Sequence, residues 1–180
     1  ALIASEWFYI EAYLQTDDRR TIVVKPAVEK AKQHGIKIAL SLSDPFVAEI
    51  FSDNLRTIIG GGVDLIFCNK DEALAFTQAE CLESAAEHLK AYAKTFAITD
   101  GAKGALVYDG KELISVPAVK AKAVNTNGAG DMFAGAFLYG ITAGKDFKTA
   151  AELANKAAAM VVERFGPRLE AKDFIQLKAS

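Results

Sequence analysis

Cysteine and histidine are nearly absent: two of each occur in 180 residues. Cys68 and Cys81 have no redox or metal spacing, and His34 and His88 lie on helix-like segments with no second ligand four residues on. That pattern argues against a metal centre built from these side chains and for a reducing, cytoplasmic setting. No stretch approaches the roughly 18 consecutive apolar residues of a membrane-spanning helix. A basic leader with a cleavage site is missing too. Charge of one sign is not in excess: 21 Lys and Arg face 23 Asp and Glu, for a net charge of −2. The basic residues are scattered, with no stripe that would follow a nucleic acid. The densest of them, in Glu29-Lys30-Ala31-Lys32-Gln33-His34, reads as the solvated face of a helix. There is no internal repeat, low-complexity segment or interdomain linker. An initiator Met is also lacking. The chain starts Ala1-Leu2-Ile3-Ala4-Ser5-Glu6 and enters the apolar run Trp7-Phe8-Tyr9-Ile10 almost at once. Complete domains more often begin polar and frayed, so this start is expected of a chain cut inside a larger fold.

What is present is a core. Half the residues, 51%, are hydrophobic, and a chain of this length can bury roughly 70% of its unfolded surface. Residues 1–180 are therefore expected to form a single α/β domain. Strand-like runs at Trp7–Ile10, Ile36–Leu40, Val63–Cys68 and Phe96–Thr99 alternate with helix-like segments at Thr21–His34, Asp53–Ile59, Asp71–Phe76 and Leu82–Lys94. Asp44 followed by Pro45 marks another helix start. Ala105–Tyr108 and Leu113–Val116 flank Asp109-Gly110 and read as a hairpin. Ala129–Ala143 and Phe147–Phe165 read as helices, with a last turn near Asp173–Leu177. Alternation of this kind predicts βαβ units, a doubly wound and mostly parallel sheet, and helices on its flanks.

The chemistry is concentrated in Asn125-Thr126-Asn127-Gly128-Ala129-Gly130-Asp131, followed by the apolar helical run from Met132 to Leu138. Small residues let backbone approach a ligand closely. The first N–H groups of the helix lack internal partners and lie at the positive end of its dipole, which suits an anion. A carboxylate there repels phosphate, but it makes sense as a base for a hydroxyl that attacks the phosphate. Two other readings stand beside this one. The glycines alone make a turn, with Asp131 as a first-turn carboxylate. Gly128 and Gly130 also begin a dinucleotide fingerprint, although no clean strand precedes them and Phe133 fills the third glycine position.

The seven-residue run resembles the second signature of the ribokinase-like, or PfkB, family of carbohydrate and nucleoside kinases, usually Asp-Thr-x-Gly-Ala-Gly-Asp. Asn125 stands where that pattern has Asp; a charge is lost, but an Asx side chain able to fix the loop remains. Asn69-Lys70-Asp71-Glu72 resembles the family's Asn-x-x-Glu motif, and on its own also reads as a reciprocal helix cap. Thr99-Asp100-Gly101-Ala102-Lys103-Gly104 is similar to the nucleotide-contacting Thr-x-Gly-x-x-Gly turn, and on its own reads as a hairpin turn. Ala154-Asn155-Lys156 resembles the late helix along the base and ribose. Tyr9–Tyr13, Ser41–Val47 and Val63–Asn69 are similar to blocks of the adenosine-kinase-like branch.

The resemblance implies an ATP-dependent transfer to a hydroxyl of a sugar or nucleoside, adenosine-like first among them. Asp131 would be the base and the amides of Gly128, Ala129 and Gly130 the anion hole. Asn69, Thr99, Gly101, Gly104, Asn127 and Asn155 would contact the nucleotide, and Glu72 would hold Mg²⁺ through water. It further implies that this chain is the C-terminal portion of a longer kinase whose lid and N-terminal acceptor-binding elements are absent. Alone, it would then be inactive and prone to self-associate through apolar surface near Trp7–Ile10. The rival class is a nucleotide-binding or assembly module of the same fold that does no chemistry.

Overall fold

A computed structural model describes residues 2–179. The chain divides into two compact units, one ending at Ile98 and one beginning at Thr99.

The first unit is built on parallel strands. β1 (Trp7–Glu11) pairs in parallel with β2 (Lys37–Ser41), Trp7 opposite Lys37 and Glu11 opposite Ser41. β2 pairs in parallel with β3 (Val63–Asn69), Ala39 opposite Leu65 and Ser41 opposite Phe67. β4 (Ala93–Thr99) lies on the other side of β3. A strand covered on both faces reads as a continuous apolar run, and so Ile38, Ala39 and Leu40, Leu65 and Ile66, and Phe96, Ala97 and Ile98 are all fully buried. The crossovers are α1 (Asp18–Gln33), the short α2 (Pro45–Ile50) and α3 (Ser52–Ile59), then α4 (Lys70–Thr77) and α5 (Leu82–Leu89). Asp17 caps α1 by accepting from Arg19 N at 2.8 Å. Asp44 caps α2 by accepting from Phe46 N at 2.8 Å, with Pro45 at the first helical position. Because the strands are parallel, Glu11, Ser41 and Asn69 end at the same edge.

Two expectations change here. The helix read from Leu82 to Lys94 stops at Leu89, and Ala93, Lys94 and Thr95 belong to β4. Helical spacing favours the longer element, but Thr95 Oγ1 donates to Asp64 O at 2.6 Å and Lys94 pairs with Asp64 at 2.7 Å. Strand partners outside the segment decide it. The apolar surface near Trp7–Ile10 is also less open than expected. Ile10 is buried and Trp7, Phe8 and Tyr9 are half-buried, because pairing with β2 covers one side of the strand. Ile22 and Val23 on α1, each 72% exposed, are the more open apolar residues.

The second unit carries an antiparallel hairpin, β5 (Ala105–Tyr108) with β6 (Leu113–Val116), Ala105 opposite Val116. Its connection is four residues long, and Asp109 Oδ1 accepts from Lys111 N at 2.8 Å and Glu112 N at 2.9 Å. Three helices complete the unit: α6 (Ala129–Thr142), α7 (Phe147–Val162) and α8 (Ala171–Ala179). Helices α6 and α7 approach closely at Gly140, where an added Cβ would stand 2.8 Å from Ala150 Cβ. Phe133 and Phe137 stack at 6.0 Å, and Phe137 meets Phe147 edge-on at 5.2 Å.

Candidate active site

In the second unit the site begins with a loop held by its own side chains. Asn125 Oδ1 accepts from Asn127 N at 2.8 Å, an Asx turn that the Asn in place of Asp still makes. Gly128 follows at φ +81°, the left-handed region, as N-cap of α6. A Cβ there would also stand 2.5 Å from Pro167 Cβ, so both conformation and space call for glycine. Ala129 N donates back to Thr126 O at 3.2 Å, and Met132 N to Gly128 O at 2.9 Å. Ala129 is thus engaged, whereas among the described residues the amides of Gly130 and Asp131 have no protein acceptor. Open amides at the start of a helix, at the positive end of its dipole, suit an anion. Asp131 lies in that first turn, exposed, with no ion pair to a described cation.

Thr99, Gly101 and Gly104 share one turn. Gly101–Lys103 is a single 3₁₀ turn, Asp100 N donates to Gly104 O at 2.8 Å, and Lys103 pairs with Asp100 at 3.3 Å. Gly104 has φ +106° and sits so close to β6 that a Cβ would lie 2.1 Å from Val116 O. Asn155 is buried on α7, and its Nδ2 donates to Pro117 O at 3.0 Å and Val116 O at 3.3 Å. It fastens the segment leaving β6. Past that segment lies a feature that sequence reading missed, a cleft of about 250 Å³ whose lining includes Val119, Lys120, Ala159 and Met160. It forms where the segment after β6, α7 and, through Gln176 and Leu177, α8 come together; Val124 N, further along that segment, donates to Val162 O at 2.7 Å.

In the first unit the end of β3 carries Asn69 and Glu72. They form a reciprocal cap: Asn69 Oδ1 accepts from Glu72 N at 2.8 Å, and Glu72 Oε2 accepts from Asn69 N at 3.0 Å. Asn69 Nδ2 also donates to Glu72 Oε1 at 2.6 Å. Glu72 is only 7% exposed. Burial pushes its carboxyl up to about 7; Asp44, Asp71 and Glu11 push the same way, against the Asn69 N–H. At the neighbouring strand end, Ser43 sits at φ +66°; its Oγ donates to Glu11 Oε2 at 2.8 Å and accepts from Ala12 N at 2.9 Å. Among the described residues no group of three or more His, Cys, Asp or Glu side chains is placed to hold a metal.

The first unit thus carries an Asn-x-x-Glu cap at a strand end, and the second a Gly-x-Gly loop that opens a helix with Asp131 in its first turn. The pattern of the pfkB family carbohydrate kinases matches residues 2–173, and the chain belongs to that family. It is 32% identical to adenosine kinase from Saccharomyces cerevisiae over 177 residues, 91% of this chain and 51% of that protein. It is 38% identical to cytidine kinase from Thermococcus kodakarensis over 117 residues, 63% of this chain and 42% of that one. The structure of adenosine kinase from Sinorhizobium meliloti superposes with a TM-score of 0.91 at 33% identity, covering 99% of this chain and 56% of that chain. The chain thus spans about half the length of the yeast and Sinorhizobium relatives.

Proposed function

We propose that this chain provides the nucleotide-, phosphate- and base-bearing part of an ATP-dependent kinase that phosphorylates a hydroxyl of a nucleoside, of adenosine type before a free sugar. The observation that carries this reading is Asp131: an exposed, unpaired carboxylate in the first turn of a helix whose opening amides are free for an anion. Similarity to adenosine and cytidine kinases supports the nucleoside.

In this reading Asp131 accepts the proton of the acceptor hydroxyl as it attacks. The open amides of α6 take up charge on the transferring phosphoryl group, with Gly128 and Ala129 shaping their approach. Asn127, Thr99, Gly101 and Gly104 contact the nucleotide through the two glycine turns. Asn155 positions the segment after β6 along the base and ribose. Glu72 would hold Mg²⁺ through water, with Asn69 fixing the Glu72 carboxylate. The donor set fits that ion: a single buried carboxylate beside other acids, with no protein cage, suits a cation that keeps its waters and binds chiefly to phosphates. Mg²⁺ would supply charge neutralisation on the phosphates. No helix of the described residues is long and apolar enough to cross a membrane, and a cytoplasmic setting is part of the proposal.

A phosphotransfer assay of the full-length gene product over a panel of nucleosides and sugars, with ATP and Mg²⁺, tests it. Adenosine-type nucleosides should turn over with the highest kcat/KM. Turnover of none of them, or preference for a free sugar by tenfold or more, would overturn the acceptor assignment.

A further inference from the structure

The connection from α7 to α8 has no place in the chemistry above, yet a two-pronged ion pair closes it. Arg164 Nη1 donates to Asp173 Oδ2 at 2.6 Å, and Arg164 Nη2 to Asp173 Oδ1 at 3.3 Å. Asp173 Oδ2 also accepts from Glu170 N at 2.8 Å, at the start of α8. The Asp173 side chain is only 7% exposed, so the guanidinium fork and this N–H stand in for water around its charge. The segment closed in this way lies against the start of α6. Pro167 occupies the space that a Cβ at Gly128 would need; its Cα and O would each stand 2.7 Å from one. Leu169 is buried with Ala157, Val161 and Leu177, and Ala129, Met132 and Ala136 of α6 pack against that cluster. Ahead of the loop, Val124 N and Asn125 N both donate to Val162 O, at 2.7 and 3.1 Å. The Asn125–Asp131 turn is thus fixed where it begins by the end of α7, and at Gly128 by Pro167.

We propose that Arg164 and Asp173 are a positioning pair for phosphoryl transfer. By locking the α7–α8 connection they hold Pro167 against Gly128, and so aim the open amides of Gly130 and Asp131 at the transferring group. Both act through the loop and neither touches the reacting atoms. A bridge that braced only a surface turn would act on stability alone. This one braces donors whose displacement by about 1 Å costs about 10²-fold in rate. The residue types suit the task, because a planar guanidinium grips both carboxylate oxygens and fixes direction as well as distance, which an ammonium does not. The inference rests on the reading of these amides as the phosphate site.

Asp173→Asn in the full-length gene product tests it, since the variant keeps the shape of the side chain and loses its charge. Amide hydrogen exchange at Val124, Asn125 and Met132 should quicken about tenfold or more, while the amides of β2 and β3 keep their wild-type rates. At the same time kcat should fall about tenfold or more, with the acceptor KM changed by less than about twofold. Arg164→Met should behave alike, and the double variant should be no slower than the slower single, because both changes break one bridge. Arg164→Lys should recover part of the lost rate. Unchanged exchange at the three amides, whatever the rate, would overturn this inference alone. Faster exchange with kcat near the wild-type value would overturn the assignment of the Gly130 and Asp131 amides to the phosphate, and this inference with it.

Discussion

Asp131 and Glu72 are both carboxylates in the first turn of a helix, and their surroundings fit them to different tasks. Asp131 is exposed and has no ion pair to a described cation, which is what the proposed base requires. Glu72 is buried, tied to Asn69, and raised to about 7 chiefly by desolvation. Glu72→Gln should raise the Mg²⁺ concentration for half-maximal rate in the full-length product by more than it raises the acceptor KM. A magnesium titration with an unchanged midpoint would return Glu72 to helix capping alone. Its titration also shows in stability. A carboxyl whose folded value lies above its unfolded one contributes stability that is fully present below about 4.5 and is lost as pH rises through about 7. Wild type should therefore lose stability between those limits relative to Glu72→Gln, by at most about 3 kcal/mol. Denaturant unfolding at pH 5 and pH 8 measures it, and parallel profiles would contradict it. The Asn69–Glu72 pairing was readable from spacing, since an acid three residues past an Asn before an apolar run is a cap signature. The height of the Glu72 pKa was not, because Glu11 and Asp44 come from other strand ends, far away in sequence.

Glycine positions set the elements that hold the site. At Gly128 the left-handed φ and the nearness of Pro167 act together, and at Gly104 β6 backbone fills the space a Cβ would need. Gly128→Ala should destabilise the protein by about 1–3 kcal/mol and weaken nucleotide binding together with it. Gly135→Ala, on the same helix with open space and no positive φ, should be neutral or slightly stabilising. Thermal unfolding of the pair checks the contrast; equal effects would show that the Gly128 loop tolerates a side chain. The loop was legible because its pattern is local, glycines then a helical run. The end of α5 was not, because Ala93 and Lys94 fit a helix by spacing and are drawn, with Thr95, into β4 beside Asp64. The cleft beside Val119 was likewise invisible, since it forms between segments brought together only by folding.

At the scale of the whole molecule, membership in the pfkB family and a span of about half its relatives' length bear on activity together. Phosphoryl transfer needs acceptor and phosphate held in line with water shed between them. The 180-residue chain should bind ATP weakly and turn over no nucleoside or sugar. Robust turnover would show it to be a complete minimal kinase. The alternation of strands and helices made the α/β class legible from apolar patterning alone, whereas the division at Ile98 and Thr99 falls inside a continuous apolar strand, with no linker to mark it. The central claim is that Asp131 is the base of the proposed phosphoryl transfer. Its most direct test is the rate of Asp131→Ala in the full-length gene product, with ATP affinity measured alongside. The account predicts a loss of about 10²–10⁴-fold in kcat with ATP binding nearly unchanged. A variant keeping more than about a tenth of the wild-type rate would contradict it.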